Sequence, residues 1–329
     1  MTKFDVVGIG NAMVDVISPA PDTFLDHMGI EKGIMQLIER ERAEVLYAAM
    51  TERTETPGGS VANTLAGLGS LGLRTAFIGK VKNDALGRFY AKSMADSGAA
   101  FPNPPSDTAT APTSRSMIFV SPDGERSMNT YLGAGADLNS ADVPADVFSG
   151  GGILFLEGYL FDKDAGKTAF TAASRLMHAA GGISGINLSD PFCAERHRAD
   201  FQRLIETEMD FVIGNAAEWT TLYETDDLTE ALDRASAVCN IVVCTRSGQS
   251  VLLRRGAERA EAKVTPVVPV DATGAGDQFA AGFLYGLATG QALDVCGRMG
   301  VVAAAEVISH IGPRPKANLK TLFAEHGLL

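Results

Sequence analysis

Short apolar runs alternate with longer amphipathic ones along most of the 329-residue chain. The runs at 4–10, 75–81, 153–157, 183–188, 211–214 and 241–245 are rich in Val, Ile, Leu and Phe, as strands buried on both faces are. Each leads into a segment that reads as helix. Apolar residues recur at helical spacing in 61–71, 84–97, 163–179, 216–223 and 228–238, and helices near 276–287 and 291–308 occupy the last part of the chain. This alternation predicts an α/β fold with a mostly parallel sheet covered on both faces.

Two stretches break the rhythm. Segments 13–38 and 114–132 carry short alternating runs. Within the second, 116–120 and 127–132 are joined by Ser121-Pro122-Asp123-Gly124-Glu125, a hairpin turn. These runs predict a second, smaller sheet placed as a lid over a cleft. A proline-rich linker at 101–112 precedes the hairpin. The length allows two domains at about 100–200 residues each, but the chain carries no visible repeat or low-complexity segment and is read as one domain over 1–329.

Charge and composition remove several classes of function. Forty acidic residues against 28 basic ones give 28 − 40 = −12, which lacks the global positive field that nucleic-acid binding uses. The four cysteines form no CxxC pair and no zinc spacing with histidine, and read as reduced, buried thiols. The N-terminus reads as a strand, not a signal peptide, and no run reaches the ~18 apolar residues of a membrane span. The expectation is a cytoplasmic protein, monomeric or homodimeric, with small-molecule partners and neither nucleic acid nor membrane.

Several familiar motifs fail. The first strand ends Gly8-Ile9-Gly10-Asn11-Ala12-Met13, with methionine where a dinucleotide fingerprint needs glycine or alanine for close helix packing. Gly166-Lys167-Thr168 is half of a P-loop, and Phe161 stands where its first glycine belongs. The five histidines form no HExxH, and there is no GxSxG.

Two motifs carry chemistry. Asp271-Ala272-Thr273-Gly274-Ala275-Gly276-Asp277-Gln278-Phe279 is a glycine-rich turn opening into an apolar helix. Its amides lie at a helix N-terminus, where the macrodipole adds positive potential, beside a carboxylate. Pro57-Gly58-Gly59-Ser60-Val61-Ala62-Asn63-Thr64 is a second Gly-Gly turn opening a helix, with Asn63 on its first turn.

Together these motifs resemble the ribokinase-like (PfkB) sugar and nucleoside kinases, over nearly the whole chain. The resemblance implies a three-layer α/β/α sandwich with a central, mostly parallel sheet and a small β lid. It implies Asp277 as the general base and the amides of Gly274, Ala275 and Gly276 as the anion hole. Asn215-Ala216-Ala217-Glu218 is similar to the family's NxxE motif, with Ala216 departing from the usual glutamate. It implies that Asn215 and Glu218 help place Mg²⁺ through water, a metal that needs few direct carboxylates.

Within the family the chain looks most like adenosine kinases. Asn11 and Asp15 resemble the opening whose aspartate accepts ribose hydroxyls, as a carboxylate can. Arg126 resembles a lid arginine that offsets charge on the transferred phosphoryl group. Tyr159 resembles an adenine-stacking aromatic. Asn187-Leu188-Ser189-Asp190-Pro191-Phe192 resembles an NLSxPF segment. The implied reaction is ATP-dependent phosphorylation of the adenosine 5′-hydroxyl. Gly58, Gly59, Asn63 and Asp15 hold the ribose. The nucleotide lies along Thr245, Ser247 and Gly248, beside 301–309. Backbone oxygens of Asp271 and Thr273 suit a monovalent cation, as in relatives that use potassium. The alternatives are a sugar kinase of the same family (ribokinase, fructokinase or sugar-acid kinase) and a catalytically silent nucleotide-binding regulator.

Overall fold

The computed structural model describes residues 3–264 and 266–329. In chain order its strands are β1 (Val6–Ile9), β2 (Met13–Pro19), β3 (Met35–Leu37), β4 (Thr54–Gly58), β5 (Thr75–Ile78), β6 (Ala99–Ala100), β7 (Ser114–Val120), β8 (Arg126–Tyr131), β9 (Ile153–Glu157), β10 (Ile183–Asn187), β11 (Phe211–Asn215), β12 (Ile241–Arg246), β13 (Gln249–Arg255) and β14 (Glu258–Ala262). Nine of them form one sheet in the order β14-β13-β12-β11-β10-β9-β1-β5-β6. Pairing is parallel from β6 to β12, and β13 and β14 append antiparallel at one edge. The central strands β1, β5 and β9 are buried along their whole length, which explains their unbroken apolar sequences.

Helices cover both faces, as expected. One layer contains Ser60–Ser70, Ala85–Asp96, Ala275–Ala288 and Leu293–Val307; the other contains Asp164–Ala179, Ala216–Tyr223 and Leu228–Val238. Asp164–Ala179 shows how these helices are specified. It buries Ala169, Phe170, Ala173 and Met177, one stripe at helical spacing, against the sheet. The result is the expected three-layer α/β/α sandwich. The four cysteines are buried free thiols. Among the described residues no helix is long and apolar enough to cross a membrane.

The second sheet has five strands in the order β3-β8-β7-β2-β4. The two expected segments supply four of them, together with a helix, Asp22–Met28, inside the first segment. The fifth, β4, includes Pro57 and Gly58, which read as the start of a turn. Proline is tolerated because β4 is an edge strand. Its position matters, since β4 leads directly through Gly59 into the helix Ser60–Ser70.

Chain order reverses direction across the main sheet at β1, whose neighbours are β5 and β9. The carboxyl ends of strands at such a crossover form the crevice where α/β sheets bind ligands. Asn11 and Glu157 stand at the carboxyl ends of β1 and β9.

Candidate active site

The two glycine-led helices meet at Asp277. Its Oδ1 accepts a hydrogen bond from Ser60 Oγ at 2.6 Å and its Oδ2 one from Asn63 Nδ2 at 3.0 Å. Thr64 Oγ1 donates to the Asp277 carbonyl at 3.0 Å. The first turn of one helix therefore fixes a carboxylate on the first turn of the other. Burial raises the Asp277 pKa from 3.8 to about 6, while the two hydrogen bonds and Arg314 pull it down. A base of that strength is ionised at neutral pH and still accepts a proton, which suits general-base work.

Gly274 caps this helix with φ 82°, and a Cβ there would lie 2.6 Å from the Pro313 Cα and carbonyl oxygen. Both facts demand glycine. A Cβ on Gly276 would meet no atom within 4 Å, so the side-chain position there faces open space. The space is a cavity of about 440 Å³, bounded by Gly274, Ala275, Gly276 and Asp277 on one side and by Asn215, Glu218 and Thr245 on the other. Ser247 and Gly248, expected along the nucleotide, fall at the turn between β12 and β13 and are not among the residues bounding this cavity.

A second cavity of about 500 Å³ lies between the small sheet and the main body. Ser60 and Tyr159 border both cavities, so the two spaces meet beside Asp277. Asn11, Asp15 and Gly59 line the second one. Gly58 lets Asp15 in: a Cβ at 58 would sit 2.6 Å from both carboxylate oxygens. Burial raises Asp15 to about 7 against the opposing charges of Arg126 and Arg314. Asn63, expected on the ribose, instead spends its amide on Asp277 and Arg314. Tyr159 donates its hydroxyl to the Ser189 carbonyl at 3.2 Å, which anchors the ring between the cavities. Phe192, 72% exposed, presents a second aromatic ring to the same cavity.

Arg126 pairs with Asp271 at 2.8 Å, tying β8 of the small sheet to the glycine-rich turn. The Asp271 carboxylate also accepts from Thr273 N, Thr273 Oγ1 and Gly312 N, at 3.0, 2.6 and 3.0 Å. Its side chain is thus fully occupied, and only main-chain oxygens at Asp271 and Thr273 remain for the expected cation.

Asn215 and Glu218 form a reciprocal capping box at the start of Ala216–Tyr223. Glu218 Oε2 accepts from Asn215 N and Oε1 from Asn215 Nδ2, both at 2.7 Å. Burial raises Glu218 to about 7. Among the described residues no group of three or more His, Cys, Asp or Glu could hold a metal ion. The single carboxylate of Glu218 with the Asn215 amide beside it fits Mg²⁺, which keeps several waters and needs few direct protein ligands. Glu218 borders the cavity where those waters would lie.

Sequence reasoning missed four residues of the site. Ser60 stood inside a recognised motif without a role, and Phe192 inside a recognised segment. Glu157 ends the apolar run of β9, and a carboxylate closing a buried strand is a readable signal. Its Oε1 accepts from Asn11 N and Nδ2 at 3.2 and 2.7 Å, and its Oε2 from Val61 N at 3.2 Å. Burial raises it to about 7. Arg314, whose charge acts on Asp15 and Asp277, carried no signal in the pattern.

Two helix N-termini, a fixed carboxylate and two adjoining cavities are the arrangement of a phosphotransferase that brings a nucleotide and an alcohol together. The pattern of the pfkB family carbohydrate kinases matches residues 29–320, and the chain belongs to that family. Its fold superposes on that of a probable sugar kinase from Rhizobium etli CFN 42 with a TM-score of 0.92 and 43% identity, covering 100% of both chains. The adenosine kinase from Sinorhizobium meliloti gives a TM-score of 0.90 at 43% identity, covering 99% of this chain and 100% of that one. By sequence the chain is 28% identical to an uncharacterized sugar kinase from Archaeoglobus fulgidus, over 75% of this chain and 96% of the relative. It is 26% identical to a 5-dehydro-2-deoxygluconokinase from Geobacillus thermodenitrificans, over 78% and 79%. The protein is therefore a PfkB-family kinase that uses ATP, and its relatives divide between nucleoside and sugar acceptors.

Proposed function

We propose that this kinase transfers the γ-phosphoryl group of ATP to the 5′-hydroxyl of adenosine, giving ADP and AMP. The observation that carries the reading is the character of the second cavity. Met35, Leu37 and Phe192 are 41%, 48% and 72% exposed, and all three line it. Large apolar side chains left open to solvent mark a binding surface for something apolar and flat. A nucleobase meets that description and a free sugar does not. The S. meliloti adenosine kinase, similar over the whole chain, supports the same acceptor.

The sugar-acid alternative draws on the 5-dehydro-2-deoxygluconokinases. The charges around the cavity argue against it. Asp15, Asp162 and Asp190 line it with Arg196, whose guanidinium is already bonded to Asp162 at 2.9 Å. An acceptor carboxylate would meet more negative charge than positive.

In this reading Asp15 accepts hydrogen bonds from the ribose hydroxyls and directs the 5′-hydroxyl toward Asp277. Asp277 takes that proton as the oxygen attacks phosphorus. The amides of Gly274 and Gly276 receive the charge that builds on the transferred group, a role worth several kcal/mol in a dry site, whereas the Ala275 amide, expected to share it, already donates to the Ala272 carbonyl at 3.2 Å. Arg126 covers the reacting groups from the small sheet. Glu218 and Asn215, on the cavity wall, would hold the water shell of Mg²⁺, which would supply positive charge beside the nucleotide phosphates.

A panel of acceptors assayed for ADP release tests the assignment. Adenosine is expected to give the highest kcat/KM among adenosine, ribose, fructose and a keto sugar acid. A higher value for any of the other three overturns the nucleoside reading, and ADP release with none of them overturns all of these acceptors.

A further inference from the structure

The loop at 312–314 belongs to neither signature motif, yet it is bonded to both. Gly312 N donates to Asp271 Oδ2 at 3.0 Å. Gln278 Nε2 donates to the Pro313 carbonyl at 3.0 Å and to the Asn63 carbonyl at 2.9 Å. Arg314 then reaches across. Its Nε donates to Asn63 Oδ1 and its Nη2 to the Pro57 carbonyl, both at 3.3 Å. Pro57 and Asn63 flank the Gly-Gly turn, so one guanidinium spans that turn from strand end to helix start.

The bond to Asn63 has a chemical consequence. A side-chain amide can sit in two orientations, and only one points its NH₂ at a carboxylate. Arg314 has donors alone, so it requires Oδ1 on its side. Nδ2 is thereby directed to Asp277 Oδ2. Arg314 borders neither cavity, which places it behind the reacting groups.

The charges around Asp277 can be traced element by element. Ser60 and Asn63 approach it from the helix Ser60–Ser70. Asp15 of β2, Glu157 at the end of β9 and Tyr159 just beyond feel its charge. Arg126 of the small sheet is paired with Asp271 and acts on Asp15. Arg314 is the cation whose field lowers the proton affinity of Asp277 itself.

We propose that Arg314 is a positioning residue for phosphoryl transfer: it locks the Asn63 amide against Asp277 and supplies the fixed positive charge that keeps this carboxylate ionised among neighbouring acids. This rests on the reading of Asp277 as the base. An arginine is suited to both tasks because its fork can hold two acceptors while its charge does not titrate.

The test measures kcat and KM against pH, from 5 to 9, for the full-length wild type and for Arg314→Gln and Arg314→Lys, with ATP and the acceptor turned over best in the panel. The glutamine variant is expected to move the acidic limb of kcat upward by about one pH unit, the scale of losing one nearby opposite charge. Its KM for ATP stays within about twofold. The lysine variant keeps the charge but not the fork, so its limb stays at the wild-type position while kcat falls about tenfold. Superimposable limbs for glutamine and wild type, or a uniform fall in kcat without displacement, overturn the proposal. If the glutamine protein does not fold, the lysine protein decides: a displaced limb or an unchanged kcat overturns it. If neither folds, Arg314 is part of the scaffold and the proposal fails. Asp277→Asn, run alongside, separates the two readings. Retained turnover there removes the base, whereas an inactive Asp277→Asn with an undisplaced Arg314→Gln limb removes the inference alone.

Discussion

Gly276→Ala sets the stability of the helix Ala275–Ala288 against the chemistry at its first turn. The added methyl group would meet no protein atom within 4 Å, and Gly276 is not among the glycines with positive φ. Folding therefore gains what alanine gains over glycine in a helix, about 0.5 kcal/mol at a first-turn position. For a chain of this size that raises the unfolding midpoint by about 1–2 °C. Activity moves the other way. The methyl group projects into the open space beside Gly276, which borders the cavity where a phosphoryl oxygen must approach an amide to about 3 Å. Displacing reacting atoms by about 1 Å costs about 10²-fold, and losing one anion-hole donor costs about 10²- to 10³-fold. At 1.36 kcal/mol per tenfold this is about 3–4 kcal/mol in the transition state, several times the stability gain and of opposite sign. Thermal unfolding and initial-rate ADP release measure the two quantities on one preparation. A variant that keeps more than about a tenth of wild-type kcat refutes the anion-hole role. A midpoint lowered by several degrees refutes the claim that the Cβ position at 276 is open.

Three further outcomes follow from the same geometry. Asp277→Asn is expected to lower kcat by about 10²- to 10⁴-fold, and wild-type kcat is expected to fall as pH drops through about 6, where the base becomes protonated. The folded-state pKa of Asp277 is raised, so the stability this group contributes is complete below 3.8 and is lost as pH rises through about 6; the asparagine variant should unfold at a higher temperature than wild type at pH 8, with that advantage gone at pH 4. Arg126→Gln cuts the pair that ties β8 to Asp271, and hydrogen exchange over 114–131 should quicken; equal exchange in the two proteins would mean that the pair does not hold the small sheet. Phe192→Ala removes a 72% exposed ring and leaves thermal stability unchanged, but KM for adenosine should rise about 5- to 150-fold, from ~1–3 kcal/mol of base stacking. An unchanged KM would take the base away from Phe192.

What was legible in the sequence followed from periodicity. Parallel strands buried on both faces leave continuous apolar runs, and the helices over them leave stripes, so the main sheet from β1 to β12 was readable apart from the two-residue β6. β13 and β14 were not readable. β13 (QSVLLRR) has only three consecutive apolar residues between polar and charged ones, and β14 (ERAEA) is the exposed edge strand with charges at three of five positions, patterns shared with loops. β4 was hidden because Pro57 and Gly58 signal a turn, and only its place at the edge of the small sheet lets a strand contain them. The helix Arg198–Glu208 lay between recognised segments and was passed over. Within the site, the 271–279 turn announced itself by its small residues packed before a carboxylate, and 57–64, a common Gly-Gly helix start taken alone, gained meaning only in its company. Their encounter at Asp277 did not. The 214-residue separation of Asn63 and Asp277 is closed by tertiary packing alone.

The same distinction explains why the reaction is clearer than the acceptor. Phosphoryl transfer is written in contiguous segments: 57–64 and 271–279 supply helix N-termini, a carboxylate and room for phosphate. The acceptor surface is assembled from single residues on separate elements: Asp15 on β2, Met35 and Leu37 on β3, Met128 on β8, and Phe192 at the start of a short helix. Each element contributes one or two side chains, so a change of acceptor needs only scattered substitutions that leave both turns untouched. The relatives of this chain accordingly include both sugar and nucleoside kinases. The discriminating information lies in which side chains are left exposed. An edge strand that keeps Met35 and Leu37 open to solvent costs solubility at a sheet edge. Under the proposed function a ligand covers that strand, and a flat aromatic base matches the two aliphatic side chains and Phe192 that line the cavity with it.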